Sequence, residues 1–546
     1  MAAGCSRSRR WDAPAASLAR GALLALVAFG CAAAVAAPRP TESELRTTLA
    51  RAHALSGSAL LWSRGGELTP QARALLDVLR AAEVYGLSPA DYGAALLADL
   101  ARDAGSSTTA SPLWAELDAR LSAAALRFLM DLHYGRVDPR RAGFELERTG
   151  AEGDFARTLA QLAAAPDLRP VISSVEPPFD HYRLLEQILQ RYRELAAQPL
   201  PLGALRPIAR RSLRLGDAYS GAPALRQVLR TLGDLPGPPG GGESQPVLDE
   251  ALVAALKRFQ ERHGLEPDGT LGKATLAALT TPLSHRVRQI ELTLERWRWL
   301  PPFTTPPVIV NVPQFRLFAF RSTADVGAQI LQQDVIVGRA YPRTQTPVFA
   351  ADMRYVVFRP YWDVPADITR RELLAQIHSK PDFLASQHLE IVAGSDESAP
   401  PLPPTPANLA ALEAGRLRLR QQPGPDNALG LIKFVMPNRY DVYLHSTPAH
   451  RLFEESRRDF SHGCIRVADP VALAVHVLGS PEWTAESVQA AMNGTETRWV
   501  KLATPVRVMI LYGTVLALES GQVLFFQDIY GHDRRLERLL HLAPVP

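Results

Sequence analysis

Cysteine is nearly missing from this sequence: 546 residues contain three, Cys5, Cys31 and Cys464. A disulfide-stapled scaffold is excluded, because such folds use cysteines in even sets. Lysine is scarce too, with only Lys257, Lys273, Lys380, Lys433 and Lys501 among 60 basic residues. Long hydrophobic runs are also absent. The apolar stretch Ala22–Phe29 is far short of the roughly 20 residues a membrane-spanning helix needs. A charge surplus is lacking as well. The formal charge is +4, but residues 1–36 hold Arg7, Arg9, Arg10 and Arg20 against Asp12, which leaves +1 on the rest. A near-neutral body gives no electrostatic case for nucleic acid or an acidic membrane surface. At 47% hydrophobic and 21% charged, the composition is globular and excludes wholesale disorder, collagen and a coiled-coil rod.

What is present begins with an export pattern. A basic stretch through Arg20, the apolar run and the small residues Ala34-Val35-Ala36 follow the order of a secretory signal. The sequence therefore predicts a signal peptide over 1–36 and an exported protein, which the resemblance described below places in the periplasm. Membrane attachment is expected only if that segment stays uncleaved, or if Cys31 is lipidated, a weaker reading because Phe29 is an awkward neighbour. With the signal removed, Cys464 is left alone, so it is either a buried inert thiol or a nucleophile.

Three texture changes divide the remainder into a multidomain α+β chain. Residues 41–200 predict a helical scaffold, with Leu- and Ala-rich runs at three- and four-residue spacing and stops at Gly86 and Gly135. Residues 205–285 predict a smaller module with helices over Leu225–Leu232, Leu252–Arg262 and Ala274–Leu279. The Phe259-Gln260 helix, the Gly264-Leu265 stop and the Asp268-Gly269 turn resemble the three-helix peptidoglycan-binding module. Residues 307–546 predict a mostly β domain, with β-branched and aromatic runs such as Val308–Val312, Arg316–Phe320, Val335–Gly338, Tyr355–Phe358 and Lys433–Val435. Residues 366–428 interrupt it as an inserted cap, with one helical stretch (Thr369–Ile377) and a Pro-rich piece. An insertion of that length is a lid or a decorated loop.

The chemistry concentrates in Tyr443-Leu444-His445-Ser446 and Ser461-His462-Gly463-Cys464-Ile465-Arg466. A thiol attacks a carbonyl only as thiolate, and a nearby imidazole can take its proton. Gly463 lets backbone approach a substrate and frees amides for an oxyanion. Asp469-Pro470 predicts an N-cap with proline at the first helical position just past the site. A zinc site built from His445, His462 and Cys464 uses legitimate ligand types but lacks any metal-binding spacing, so neither metal nor cofactor is expected.

These residues resemble the L,D-transpeptidase signature, a histidine followed after a spacer by [Ser/Thr]-His-Gly-Cys. The surrounding text, Asn427–Gly430, Lys433-Phe434, Asn438–Val467 and Glu295–Leu300, is similar to the large periplasmic members that combine a scaffold, a peptidoglycan-binding module and a catalytic domain with an inserted cap. The resemblance implies that Cys464 is the nucleophile and His445 the general base and acid. It implies oxyanion donors at the Gly463 and Cys464 amides with help from the Tyr443 hydroxyl. Ser446 would hold His445 through its carbonyl, Ser461 belongs to the signature, and His462 and Arg466 would shape the pocket or pair with a substrate carboxylate. Its partners would be donor and acceptor stem peptides of peptidoglycan, joined by 3→3 cross-links through a thioester with release of D-Ala. Where the family often has Asp after the base histidine, this chain has Ser446. Hydrolysis of the same thioester, attachment of a protein to the wall, and a non-catalytic wall-binding scaffold remain as alternatives.

Overall fold

A computed structural model describes residues 42–146, 153–208, 211–238, 244–323, 330–341, 344–394 and 396–542. The expected signal segment, with Cys5 and Cys31, lies outside them. In the N-terminal region the helices Glu42–Ser56, Pro70–Arg80, Ala94–Gly105, Leu113–Tyr134 and Phe155–Ala164 pack around Trp62, Leu75, Leu79, Leu121 and Phe128. Thr69 starts the second of these by accepting from the Ala72 N–H, with Pro70 at the first position. Gly135 ends the fourth at φ 74°, and a Cβ there would lie 2.7 Å from the Glu295 carboxylate.

Helix Asp180–Ala196 belongs elsewhere. Its Tyr182, Leu185, Leu189 and Tyr192 form a separate core with Ile290 and Leu294 of helix Leu283–Trp297 and with the hairpin Val515–Ala517/Val523–Phe525. The small module holds helices Ala222–Leu232, Glu250–Arg262 and Lys273–Leu279 around Leu225, Leu252, Leu256 and Phe259. Gln260 is its keystone, donating to Asp268 Oδ1 (2.9 Å) and accepting from the Gly269 N–H (2.8 Å).

The C-terminal region is a mixed barrel. Its strands are β1 (Val308–Asn311), β2 (Arg316–Ala319), β3 (Leu331–Gly338), β4 (Phe349–Phe358), β5 (Ile432–Val435), β6 (Leu444–His445), β7 (Asp459–Ser461), β8 (Ile465–Val467) and β9 (Arg498–Leu511). Eight close in the order β3-β8-β6-β5-β4-β9-β1-β2, with β2 pairing back to β3 and the short β7 added beside β3. The pairs β6/β8, β1/β9 and β3/β7 are parallel, the others antiparallel. Side chains alternate across a strand, so the register sorts them into two bands. Val356, Phe434, Leu444 and Ile465 stand opposite one another and are buried in the barrel core. One residue along, Trp499, Val357, Lys433, His445 and Arg466 form a second row across β9, β4, β5, β6 and β8 on the other face.

The cap is more than a loop. Strands Trp362–Asp363, Leu389–Val392 and Arg418–Gln421 make an antiparallel sheet, over a core of Val364, Ile377, Leu389, Ile391, Leu412 and Leu419. Its sheet starts at Trp362, ahead of the expected insertion, and three of its helices, Leu374–Ser379, Phe383–Ser386 and Pro406–Glu413, accompany it. Among the described residues no helix is long and apolar enough to cross a membrane.

Candidate active site

The parallel register of β6 and β8 sets His445 beside Arg466. Tyr443 and Cys464 each lie at the entry to these strands, where the Ile465 N–H donates to the Tyr443 carbonyl at 3.0 Å. Cys464 is half-buried and is the free cysteine of the described residues. The turn before it is clamped by hydroxyls. Ser461 Oγ donates to the Cys464 carbonyl (2.5 Å) and accepts from the Gly463 N–H (3.1 Å), while Thr346 Oγ1 donates to the Gly463 carbonyl (2.8 Å). Gly463 adopts φ 124°, which a side chain would oppose. The Gly463 N–H, expected as an oxyanion donor, donates to Ser461 Oγ here. Downstream, Asp469 caps helix Pro470–Leu478 by accepting from the Ala472 N–H at 2.9 Å.

His445 is buried at 3% exposure. Its Nδ1 lies 2.5 Å from the Ser446 carbonyl oxygen. A carbonyl only accepts, so Nδ1 carries the proton and Nε2 keeps its lone pair. The Ser446 hydroxyl looks the other way, accepting from the Leu431 N–H (2.8 Å) and Ile432 N–H (3.3 Å) and donating to the Leu429 carbonyl (3.2 Å). It thereby fastens the turn at Gly430, where a Cβ would fall 2.1 Å from that hydroxyl. Burial, then the positive charge of Arg466, pushes the His445 imidazole down to about 3, so it is neutral at physiological pH.

The Cys464 thiol donates to the Asp441 carbonyl at 3.6 Å, and Tyr443 lies across from Cys464 at the entry to β6 and β8. The Tyr443 side chain favours the thiolate, and the Trp362 indole of the cap favours the Tyr443 phenolate in turn. The Tyr443 ring stands edge-on to His445 at 5.8 Å, and the Lys433 ammonium lies 3.9 Å from its centroid. Burial raises the Cys464 thiol, while Tyr443, Lys433 and Arg466 pull it back. His462 Nε2 meets the cap's Glu372 carboxylate at 2.7 Å; in this state it pairs with the cap, where a substrate carboxylate was one of its expected partners. Arg466 Nε is buried with no hydrogen-bond partner.

The site thus gathers Cys464, His445, Tyr443, Arg466 and the Ser461–Gly463 turn, with Ser446 behind the imidazole. Sequence reasoning passed over Lys433, Trp362, Glu372 and Thr346. Lys433 had one usable signal, as a rare lysine within an apolar strand run; the cap residues had none. His445, His462 and Cys464 do not fall into a three-ligand metal group, and none occurs among the described residues. A buried neutral base, a thiol and a neighbouring tyrosine hydroxyl are the parts of acyl transfer through a thioester.

Comparison with known families matches three stretches of the chain. Residues 306–508 match the family described as "L,D-transpeptidase catalytic domain", residues 220–279 the "Putative peptidoglycan binding domain" and residues 47–189 a "Scaffold domain". A protein of Haemophilus influenzae described as "Putative L,D-transpeptidase" is 29% identical over 258 residues, covering 47% of this chain and 50% of that protein. The match thus spans about half the length of this curated relative.

Proposed function

We propose that this chain, a multidomain protein with an L,D-transpeptidase catalytic domain and a peptidoglycan-binding domain, is a periplasmic cysteine transpeptidase that joins stem peptides by 3→3 cross-links. Cys464 Sγ attacks the carbonyl of the third residue of a tetrapeptide stem, and its proton passes to His445 Nε2. The oxyanion is held by the Tyr443 hydroxyl and the Cys464 amide. The C–N bond to the terminal D-Ala breaks, the leaving amine takes the proton from His445, and a thioester remains. The side-chain amine of an acceptor stem then attacks that carbonyl and gives its proton to His445. The C–S bond breaks, and the sulfur recovers the proton. The cap meets the site where Glu372 pairs with His462, and the module at 205–285 keeps the domain on its polymeric substrate.

One observation carries the reading: the free cysteine of the described residues lies across from Tyr443, at the entry to the strand that presents a buried, neutral histidine. The test is intact-protein mass spectrometry with a carbapenem as a stand-in acyl donor. The native protein is expected to gain one stable adduct and Cys464→Ala none. Absence of an adduct on a native protein whose thiol a maleimide shows to be free would favour a non-catalytic wall-binding role.

A further inference from the structure

The row across the sheet contains a cation the mechanism above leaves unused. Lys433 stands on β5 directly opposite His445 on β6, with Val357 of β4 on its other side. The ammonium lies on the face of the Tyr443 ring, 3.9 Å from the centroid, a distance well inside the range for attraction between a cation and an aromatic face. That same side chain lies across from Cys464, where the Ile465 N–H donates to the Tyr443 carbonyl at 3.0 Å. Glu397 of the cap and Asp441 act on Lys433 through space, as does the Cys464 sulfur, but no ion pair joins Lys433 to a carboxylate among the described residues. Burial strips water from the ammonium and lowers its proton affinity, so its field is poorly screened toward its neighbours.

We infer that Lys433 is a positioning residue for the nucleophile: seated on the Tyr443 ring, it makes the hydroxyl a stronger donor to the Cys464 sulfur and favours negative charge there. This rests on the cysteine-acyltransferase reading. The need for such a cation follows from the rest of the site. In cysteine enzymes that rest as an ion pair, an imidazolium holds the thiolate. Here His445 sits between the cations Lys433 and Arg466 in register, and its imidazole stays neutral. The positive charge has moved off the base and onto its two neighbours. Arg466 acts from the far side of His445, while Lys433 reaches the sulfur through the Tyr443 ring. One aromatic side chain thereby links a strand lysine to the thiol, and Lys433 lowers the thiol's proton affinity without touching substrate.

The experiment follows alkylation of the Cys464 peptide by iodoacetamide from pH 6 to 10 in the native protein, K433M, K433R, Y443F and the K433M/Y443F double variant. K433M is expected to move the alkylation midpoint up by about one pH unit and to slow alkylation near neutrality about tenfold. K433R is expected to stay within about threefold of native, because the charge is kept. The double variant is expected to be no slower than the slower single one, as two residues acting as one unit require. A K433M profile that superimposes on the native one would overturn the inference, and so would K433M and Y443F effects that multiply independently. K433Q replaces K433M if the latter loses its circular-dichroism signature. Iodoacetamide needs no wall substrate, so a shifted profile supports the role of Lys433 even where stem peptides are not turned over. Failure to turn them over bears on the proposed function alone.

Discussion

At Cys464 burial and charge oppose each other. Burial holds the thiol protonated, the Tyr443 hydroxyl, Lys433 and Arg466 work against it, and His445 is already neutral above about pH 3. The sign of the pH dependence follows. The thiolate fraction grows as pH rises toward the raised thiol value, and no group that must lose a proton titrates near 6.5. Acylation by a carbapenem, timed by quenched mass spectrometry from pH 5 to 9, is expected to climb monotonically with no inflection near neutrality. A bell or plateau centred at 6–7 would mean a thiolate–imidazolium pair, and the electrostatics described here would be wrong. Counting left Cys464 open between an inert buried thiol and a nucleophile, and the roles expected of Cys464 and His445 came from the resemblance of their motif. Lys433 was not legible, because a lysine in a strand ordinarily reads as a solvated side chain, and only cross-strand register puts it over Tyr443.

Among the elements, the long helices were the most legible. Leu113–Tyr134 forms one helix within the stretch read as helical scaffold, and the β-branched and aromatic runs Val308–Val312 and Arg316–Phe320 give the antiparallel pair β1 and β2. The shortest strands were not legible. β6 has two residues and β8 three, too few for an alternation to show, and their pairing is set by barrel closure. The cap's sheet was hidden for a related reason: Arg418-Leu419-Arg420-Gln421 alternates without β-branched residues, and its partners lie about 30 and nearly 60 positions away. The cap reaches the site through Glu372, which meets His462 at 2.7 Å, and its Trp362 favours the Tyr443 phenolate. The exposed Glu372–His462 pair contributes little by itself, so the half-buried Trp362 indole is the cap contact to test. Trp362→Phe keeps the aromatic packing but removes the N–H. A net hydrogen bond of about 0.5–1.5 kcal/mol corresponds to carbapenem acylation slowed by about two- to tenfold, with an unchanged circular-dichroism spectrum. A variant as fast as native would show that the cap does not tune Tyr443.

On the scale of the whole molecule, helix Leu283–Trp297 and the two residues after it join the parts. Glu295 Oε1 accepts from the Arg136 N–H (2.5 Å) and the Val137 N–H (2.9 Å) of the N-terminal region, and its other oxygen pairs with Arg298 at 3.3 Å. Arg298 donates to the Tyr182 hydroxyl and to the Tyr85 carbonyl, while Arg296 pairs with Asp533 at 2.5 Å. The sequence Glu295-Arg296-Trp297-Arg298-Trp299, legible only as part of a resemblance, is therefore a buried joint whose charges are each paired, as burial demands. The order of the three regions could be read from composition. Which core helix Asp180–Ala196 joins could not, because its apolar face fits either neighbour and tertiary packing decides. A scaffold, a wall-binding module and a barrel held together in this way suit an enzyme working on a polymer. The most direct test gives the purified protein disaccharide-tetrapeptides with a diamino acid at position three and follows the products by liquid chromatography and mass spectrometry. The account predicts dimers linked between third residues, one D-Ala released per bond, and none with Cys464→Ala. Tripeptides without dimers, or unchanged substrate, would contradict it.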